Sequence, residues 1–290
     1  MALTAMTYNI RNGGGGRLAA IARVVAAEDP DVLALQELKG FPGPAGRALR
    51  GLAESLGRRA FLAGSWPGQP VAVLVRPSAR VLAAGPVRGL FHHAAARVVL
   101  ATDAGPLTVV GTHLWPYGGG RRLFEARQLA RLADPARAVL LLGDLNSLDP
   151  GTDHAARLAA LPPEYRGRHL RRSLPGRRGQ RRVDTRALAA LGAAGFADLA
   201  TLTGPGPQNS SQHETAPQET TPTAYAGQEF ATGPGMRLDY ALGTPPVARA
   251  TRRCRVVRGG AADTASDHYP LVVELAMTLQ PAARRGAPTT

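Results

Sequence analysis

Ala138-Val139-Leu140-Leu141-Leu142-Gly143-Asp144-Leu145-Asn146 is the stretch whose reading decides the fold. Five consecutive apolar residues, too few for a helix, predict a strand over Ala138 to Leu142 that is buried on both faces at the centre of a covered sheet. A carboxylate and an amide follow it two residues apart, and a period of two places Asp144 and Asn146 on one side of the chain. The same arrangement recurs along the sequence: Tyr8-Asn9-Ile10, Leu35-Gln36-Glu37, Thr112-His113-Leu114, Leu238-Asp239-Tyr240 and Ser266-Asp267-His268 each end, or lie within, a segment of strand character. Polar residues delivered to strand ends from distant parts of a chain are how an α/β scaffold assembles one site. Carboxylates, amides and imidazoles suit a hard, oxygen-ligated metal beside a general base, an inventory that points to phosphate ester hydrolysis.

Working outward, Leu3 to Tyr8 and Asp31 to Leu35 read as strands around a helix with Leu18, Ile21, Ala22 and Val25 at helical spacing, closed by Pro30. A helix is expected over Arg47 to Leu56. Strands are expected over Val71 to Val75, Arg80 to Ala83, Arg97 to Thr102 and Leu107 to Thr112, the last two joined by the turn Asp103-Ala104-Gly105-Pro106. Arg121 to Leu132 has a helical stripe of Leu123, Ala126, Leu129 and Ala130, and further helices are expected over Arg157 to Leu161 and Thr185 to Ala194. Arg166 to Arg182 is dense in arginine, and Gly204 to Thr221 has loop composition. Strands return over Arg237 to Leu242, Cys254 to Val257 and Leu271 to Leu275, and residues 280–290 read as a disordered polar tail. The polar triplets straddle every candidate boundary, so a single domain over residues 1–279 is expected.

The 290 residues carry a net charge of +14, almost all of it arginine, since Lys39 is the only lysine. Arginine pairs bidentately with phosphate, so the charge fits a nucleic-acid or phosphorylated partner; the abundance of Ala, Gly, Pro and Arg together fits codon bias equally well. Cys254 stands alone, which excludes an intrachain disulfide and a thiolate metal cluster. No apolar run reaches the roughly 18 residues of a membrane span, and no export signal is legible, so a cytoplasmic monomer is the expectation.

Each candidate residue has a plainer reading beside the chemical one. Asp144 and Asn146 suit water activation and phosphate contact, or an Asx turn that ends a strand. Glu37 closes an apolar strand, where a half-buried carboxylate requires a partner; a divalent cation or a surface pairing with Lys39 or an arginine would serve. Asp267-His268 precedes the last strand, and Asp239 is a candidate to hold the His268 ring in one tautomer. His113 ends a β-branched strand. His92, His93, His154, His169 and His213 read as solvated surface residues.

In this order, Asn9, Gln36-Glu37, Thr112-His113-Leu114, Gly143-Asp144-Leu145-Asn146, Arg237-Leu238-Asp239-Tyr240 and Ser266-Asp267-His268-Tyr269-Pro270 resemble the endonuclease/exonuclease/phosphatase superfamily, over Thr7 to Leu275. The resemblance implies an α/β four-layer sandwich, two mixed β-sheets packed face to face with helices outside. It implies that Glu37 is the main ligand of Mg²⁺ or Mn²⁺, with Asn9 and Asp267 nearby. Asp144 would activate water, Asn146 hold water or a phosphate oxygen, His268 act on the phosphate with Asp239 polarising it, and His113 bind phosphate or assist the leaving group. Arg127 with Gln128 matches a structural helix pattern of the family, and Arg11 could reach the phosphate. Pancreatic-type deoxyribonucleases give the first histidine a carboxylate from the preceding chain; here Glu54 and Asp103 are the only acids between Gly40 and Thr112, and neither is well placed. DNA or RNA is the first substrate expected, with Arg166 to Arg182 tracking the backbone and Tyr165 its one stacking residue. A small-molecule or lipid-headgroup substrate is the alternative, and a silent binding module the third.

Overall fold

Alternation of buried side chains along the strands builds two sheets and decides which residues face each other. The computed structural model describes residues 2–41, 46–66, 68–171, 182–203, 218–226 and 235–282. In one sheet β1 (Leu3–Asn9), β2 (Val32–Gln36), β3 (Arg59–Ala63), β4 (Val71–Val75), β11 (Thr251–Val256) and β12 (Leu271–Leu275) lie in the order β11-β12-β1-β2-β4-β3. The other contains β5 (Val81–Pro86), β6 (Ala94–Thr102), β7 (Gly105–His113), β8 (Ala138–Asp144), β9 (Ala197–Asp198) and β10 (Asp239–Gly243), in the order β5-β6-β7-β8-β10-β9. Each sheet is mixed: β1·β2 and β7·β8 are parallel, and the other neighbours are antiparallel. A helix makes each parallel crossover, α1 (Leu18–Glu28) after β1 and α3 (Gly119–Ala130) after β7.

Leu3, Ala5, Val32, Ala34, Val73, Val98, Val109, Leu140, Leu142, Ala241 and Val273 meet between the sheets in one core. Their neighbours in sequence point the other way. Met6, Tyr8, Leu33, Leu35 and Leu74 pack on α1 and α2 (Arg47–Ser55), while Val110, Val139, Leu141 and Tyr240 pack on α3 and α6 (Arg186–Ala193). The result is the four-layer α/β sandwich, with burial of each large apolar side chain contributing about 1.5–3 kcal/mol. Gly111 lies on the inner face against the facing sheet; a Cβ there would stand 3.0 Å from Val73 Cγ2 and 3.1 Å from Ala34 Cβ.

Several elements extend past what hydrophobic pattern delimits. β6 begins three residues earlier than expected, at Ala94, and β3, β9, α5 (Pro163–Arg168), α7 (Leu199–Leu202) and two short helices, α8 (Pro245–Ala250) and α9 (Ala262–Ala265), complete the described strands and α-helices together with α4 (Ala155–Ala160). Gln280 N donates to the Ala101 carbonyl and Ala282 N to that of Ser78, so this part of the tail lies along the edge of the second sheet. The remainder of the tail, most of the arginine-rich stretch (172–181), much of the loop-like segment (204–217) and His213 lie outside the described residues. No helix among the described residues is long and apolar enough to cross a membrane.

Candidate active site

Strand periodicity carries the candidate residues to one end of the gap between the sheets. Asn9, His113, Asp144 and Asp239 share the parity of the inner-face residues Ala5, Val109, Leu142 and Ala241, each at the terminus of its strand. The register sets them side by side: His113 is opposite Asp144 in the parallel β7·β8 pair, and Asp144 is opposite Asp239 in the antiparallel β8·β10 pair. Asn9 reaches across from the facing sheet, its Nδ2 donating to Asp144 Oδ2 and to Glu37 Oε1, each at 3.1 Å. Gln36 does not join them; its amide is spent on Thr7 Oγ1 and the Ala34 carbonyl inside the core.

Two backbone features fix these strand ends. Gly143 has φ 154°, and a Cβ there would lie 2.0 Å from the Thr112 carbonyl oxygen, so only glycine lets β8 pass this close to β7. Among the described residues, five non-glycine residues have positive φ, and four of these, Arg11, Asn12, Glu37 and Asn146, are at or beside the cleft. Strain of this kind persists where surrounding contacts over-determine it, and functional sites are the usual place. At Glu37 (φ 60°) those contacts are visible: Asn12 N donates to Oε2 at 2.9 Å, and Gly13 N and Lys39 N donate to the Glu37 carbonyl.

Asp144 is the hub. Its Oδ1 accepts from Asn146 N at 2.9 Å, while Oδ2 lies 3.1 Å from Asn9 Nδ2, 3.4 Å from His113 Nε2 and 3.9 Å from His268 Nε2. Burial, with the negative charge of Asp239 added, pushes its carboxyl up; the two histidines oppose that shift. His268 Nδ1 is 2.7 Å from Asp239 Oδ2, an arrangement that puts the ring proton on Nδ1 and leaves Nε2 facing Asp144 and the cleft. Burial opposes protonation of His268, yet Asp239 outweighs it and raises the imidazole well above its ordinary value. Burial also pushes Glu37 up, but the positive potential of His113 and the Asn12 and Asn9 hydrogen bonds outweigh it and leave the carboxyl below the usual range. Asp267 lies beside Arg11, with 3.5 Å between Oδ2 and Nε. Asn146 Nδ2 is held by the Leu114 carbonyl.

The carboxylate that the sequence before His113 does not supply comes from after it: Asp144 stands next to His113 across the parallel strand pair. Three of the five histidines read as solvated are instead buried: His93, His154 and His169. His93 stacks on His113, with ring centroids 4.2 Å apart and planes 15° apart, and neither of its ring nitrogens has a partner among the described residues. Burial, with the neighbouring His113, drives its pKa down to about 2; burial likewise lowers His169 to about 3, so both imidazoles are neutral. Both line the cleft. His154 Nε2 faces the Asp149 carbonyl at 2.8 Å, away from the chemistry.

Two further residues were invisible to pattern reading. Glu125 on α3 accepts from His92 N at 2.8 Å and Trp115 N at 2.7 Å, pinning the chain on either side of the histidine stack. Arg122, one turn earlier, is almost wholly buried and donates to the Trp115, Pro116 and Arg168 carbonyls. The available signal was their spacing with Ala126 and Leu129 at i, i+3, i+4 and i+7, a buried stripe whose first half is charged. Gln128 grips Leu90 through its backbone N–H and carbonyl, a structural role, as its helix pattern implied.

The cleft encloses about 300 Å³ and is lined by Glu37, His93, His113, Asp144, Asn146, Asp267 and His268, among others. Donor atoms of Asp144, Asp239 and His268 lie within 4.8 Å of one another, a group that could hold a divalent metal ion. Asp239 Oδ1 is buried without a hydrogen-bond partner among the described residues, and Glu37 and Asp267 add two more carboxylates to the same cleft. Such a concentration of buried negative charge fits a cation as counter-charge.

The model of the Endonuclease/Exonuclease/phosphatase family matches residues 6–268. Among solved structures, an AP endonuclease from Archaeoglobus fulgidus superposes with a TM-score of 0.67 at 18% identity, covering 94% of this chain and 99% of that one. TDP2 of D. rerio complexed with single strand DNA product gives 0.63 at 16%, covering 94% and 98%. ANGEL2, a 2',3'-cyclic phosphatase, in complex with adenosine-2',3'-vanadate, gives 0.60 at 15%, covering 97% and 96%. No curated protein gives a significant sequence match. With the family model spanning nearly the whole chain and the sandwich shared with these structures, the chain belongs to the Endonuclease/Exonuclease/phosphatase family.

Proposed function

We propose that this protein is a metal-dependent phosphodiesterase, acting on nucleic acid, that cleaves a phosphate ester by attack of water. The observation that carries the reading is the convergence of Asn9, His113, Asp144, Asp239 and His268, from five separate segments, on one end of the sheet gap. Glu37, with Asp267 and Asn9 beside it, would hold Mg²⁺ or Mn²⁺. As Asn9 stands, its oxygen accepts from Arg11 N, so its ligand role requires that amide to turn. When bound, the ion supplies positive charge to the phosphoryl oxygens.

The protein's own groups then divide the work. Asp144, fixed by Asn146 N, orients the attacking water and takes its proton. His268, kept as an imidazolium by Asp239 at Nδ1, donates from Nε2 to a phosphoryl oxygen. Asn146 steadies water or phosphate, and His113 Nε2 assists the leaving oxygen. The net charge of +14 and the DNA-processing neighbours support a nucleic-acid substrate. The confined cleft and the cyclic phosphatase among the neighbours favour a second reading, a small phosphorylated molecule.

The test is hydrolysis of an aryl phosphodiester with Mg²⁺, Mn²⁺ or chelator. Asp144→Ala and His268→Ala are each expected to lower turnover by at least about 100-fold. Metal-independent turnover, or mutants with full activity, would defeat the reading. Titration of Mn²⁺ into Glu37→Ala is expected to show weaker binding; an unchanged midpoint removes Glu37 from the ligand set.

A further inference from the structure

One wall of the cleft has its own construction. Tyr117 follows β7, and Tyr165 and Arg168 are three residues apart on α5. All three line the cleft, and Arg168 is the one arginine lining it among the described residues. Its guanidinium carbon lies 4.2 Å from the Tyr165 ring centroid and 5.1 Å from that of Tyr117. Around the cleft other arginines are matched with acids: Arg11 with Asp267, Arg186 with Asp184, and Arg237 with Asp198. Arg168 forms no ion pair, and its side chain donates to no protein acceptor, among the described residues. A guanidinium flanked by aromatic faces keeps its planar fork of donors free for an oxyanion.

The two strands of this wall are tied together from behind. Buried Arg122 donates to the Trp115 and Pro116 carbonyls, next to Tyr117, and to the carbonyl of Arg168 itself, at 3.0, 3.3 and 3.2 Å. Both halves of the aromatic clamp therefore share one anchor, and their spacing is set before any ligand arrives.

We propose that Arg168, clamped by Tyr117 and Tyr165, anchors a second phosphate subsite that takes a phosphate covalently joined to the one being cleaved. The proposal rests on the phosphoester reading above and sharpens it: the substrate carries at least two linked phosphates. A neighbouring phosphodiester of a polynucleotide and a second phosphate on a small polyol share this chemistry.

The experiment compares wild type with Arg168→Ala, Arg168→Lys and Tyr117→Ala on three substrates: an aryl phosphodiester with one phosphate, a short single-stranded oligonucleotide, and inositol bisphosphate. On the one-phosphate substrate, kcat/KM of Arg168→Ala should stay within about twofold of wild type. On the substrate with linked phosphates it should fall about tenfold or more, chiefly through KM, with Arg168→Lys in between. Which of the two polyphosphorylated substrates responds identifies the source. Binding of a labelled oligonucleotide and of inositol hexakisphosphate in chelator, read by anisotropy and competition, needs no turnover. If wild type hydrolyses nothing, the hydrolase reading fails, and weaker binding by Arg168→Ala still upholds the subsite. Equal losses on all substrates, no loss on any, or no binding of either polyphosphate by wild type overturns it. Tyr117→Ala, at an exposed position, decides the matter should Arg168→Ala not fold.

Discussion

His93 shows how much chemistry a single side chain can hide. It is buried against His113, unpaired at both ring nitrogens among the described residues, and held neutral with a pKa of about 2. In the unfolded chain its imidazole protonates near the ordinary value of about 6.5, so below that pH the unfolded state binds the extra proton. Stability attributable to His93 therefore falls as pH drops from about 6.5, by about 1.4 kcal/mol per pH unit. His268 has the opposite sign. Its folded pKa is raised, so its contribution is fully present below the unfolded value and is lost as pH rises through the folded one. Urea unfolding at pH 6 and pH 5 should show His93→Phe losing less stability than wild type over that interval, by on the order of 1 kcal/mol; parallel losses would mean that His93 is charged in the native state. Sequence alone assigned His93 and His169 to the surface because no periodicity marks the start of β6 or the segment after β8, where long-range packing buries them. Asp144, Asp239 and His113 were legible because each ends a strand of clear alternation.

At the scale of elements, the parallel pair β7·β8 carries the most precise part of the site. Thr112 faces Gly143 one residue before His113 faces Asp144, and the Thr112 carbonyl occupies the space of any Gly143 side chain. Gly143→Ala must push the two strands apart at this point, with an expected cost of at least about 2 kcal/mol. Urea denaturation would measure it, and a variant as stable as wild type would show that the strands can slide. The strand itself was plain from five apolar residues. What made its glycine necessary was not, since the neighbouring carbonyl comes from a strand whose register no local pattern states. Helix α3 teaches the same lesson: its apolar stripe was readable, but the burial of Arg122 and Glu125 follows from the loops they hold.

For the whole molecule the question is what a charge of +14 does around an acid-lined cleft. A basic exterior concentrates polyanions and loses that grip as salt rises. If nucleic acid is the substrate, its cleavage should fall at least about tenfold between 50 and 200 mM salt. Hydrolysis of an aryl phosphodiester, which releases few counterions, should change by less than about twofold. Matching salt profiles for both would assign the arginines to composition. The sandwich was readable from the order of the polar triplets, whereas the cleft wall built by α5 and Tyr117 was not, because its parts are far apart in sequence and meet through Arg122 and the Arg168 side chain.

Gly111 gives the site a gauge. Asn9 and Glu37, proposed to face the ion, belong to one slab, and Asp144, Asp239 and His113, proposed to handle protons, to the other, so their separation depends on the packing between slabs. A single added methyl deep in that filling, touching nothing that reacts, would act as a shim and alter the reach from Asn9 to Asp144. On the proposed reading, core volume is a kinetic parameter of this protein as well as a stabilising one.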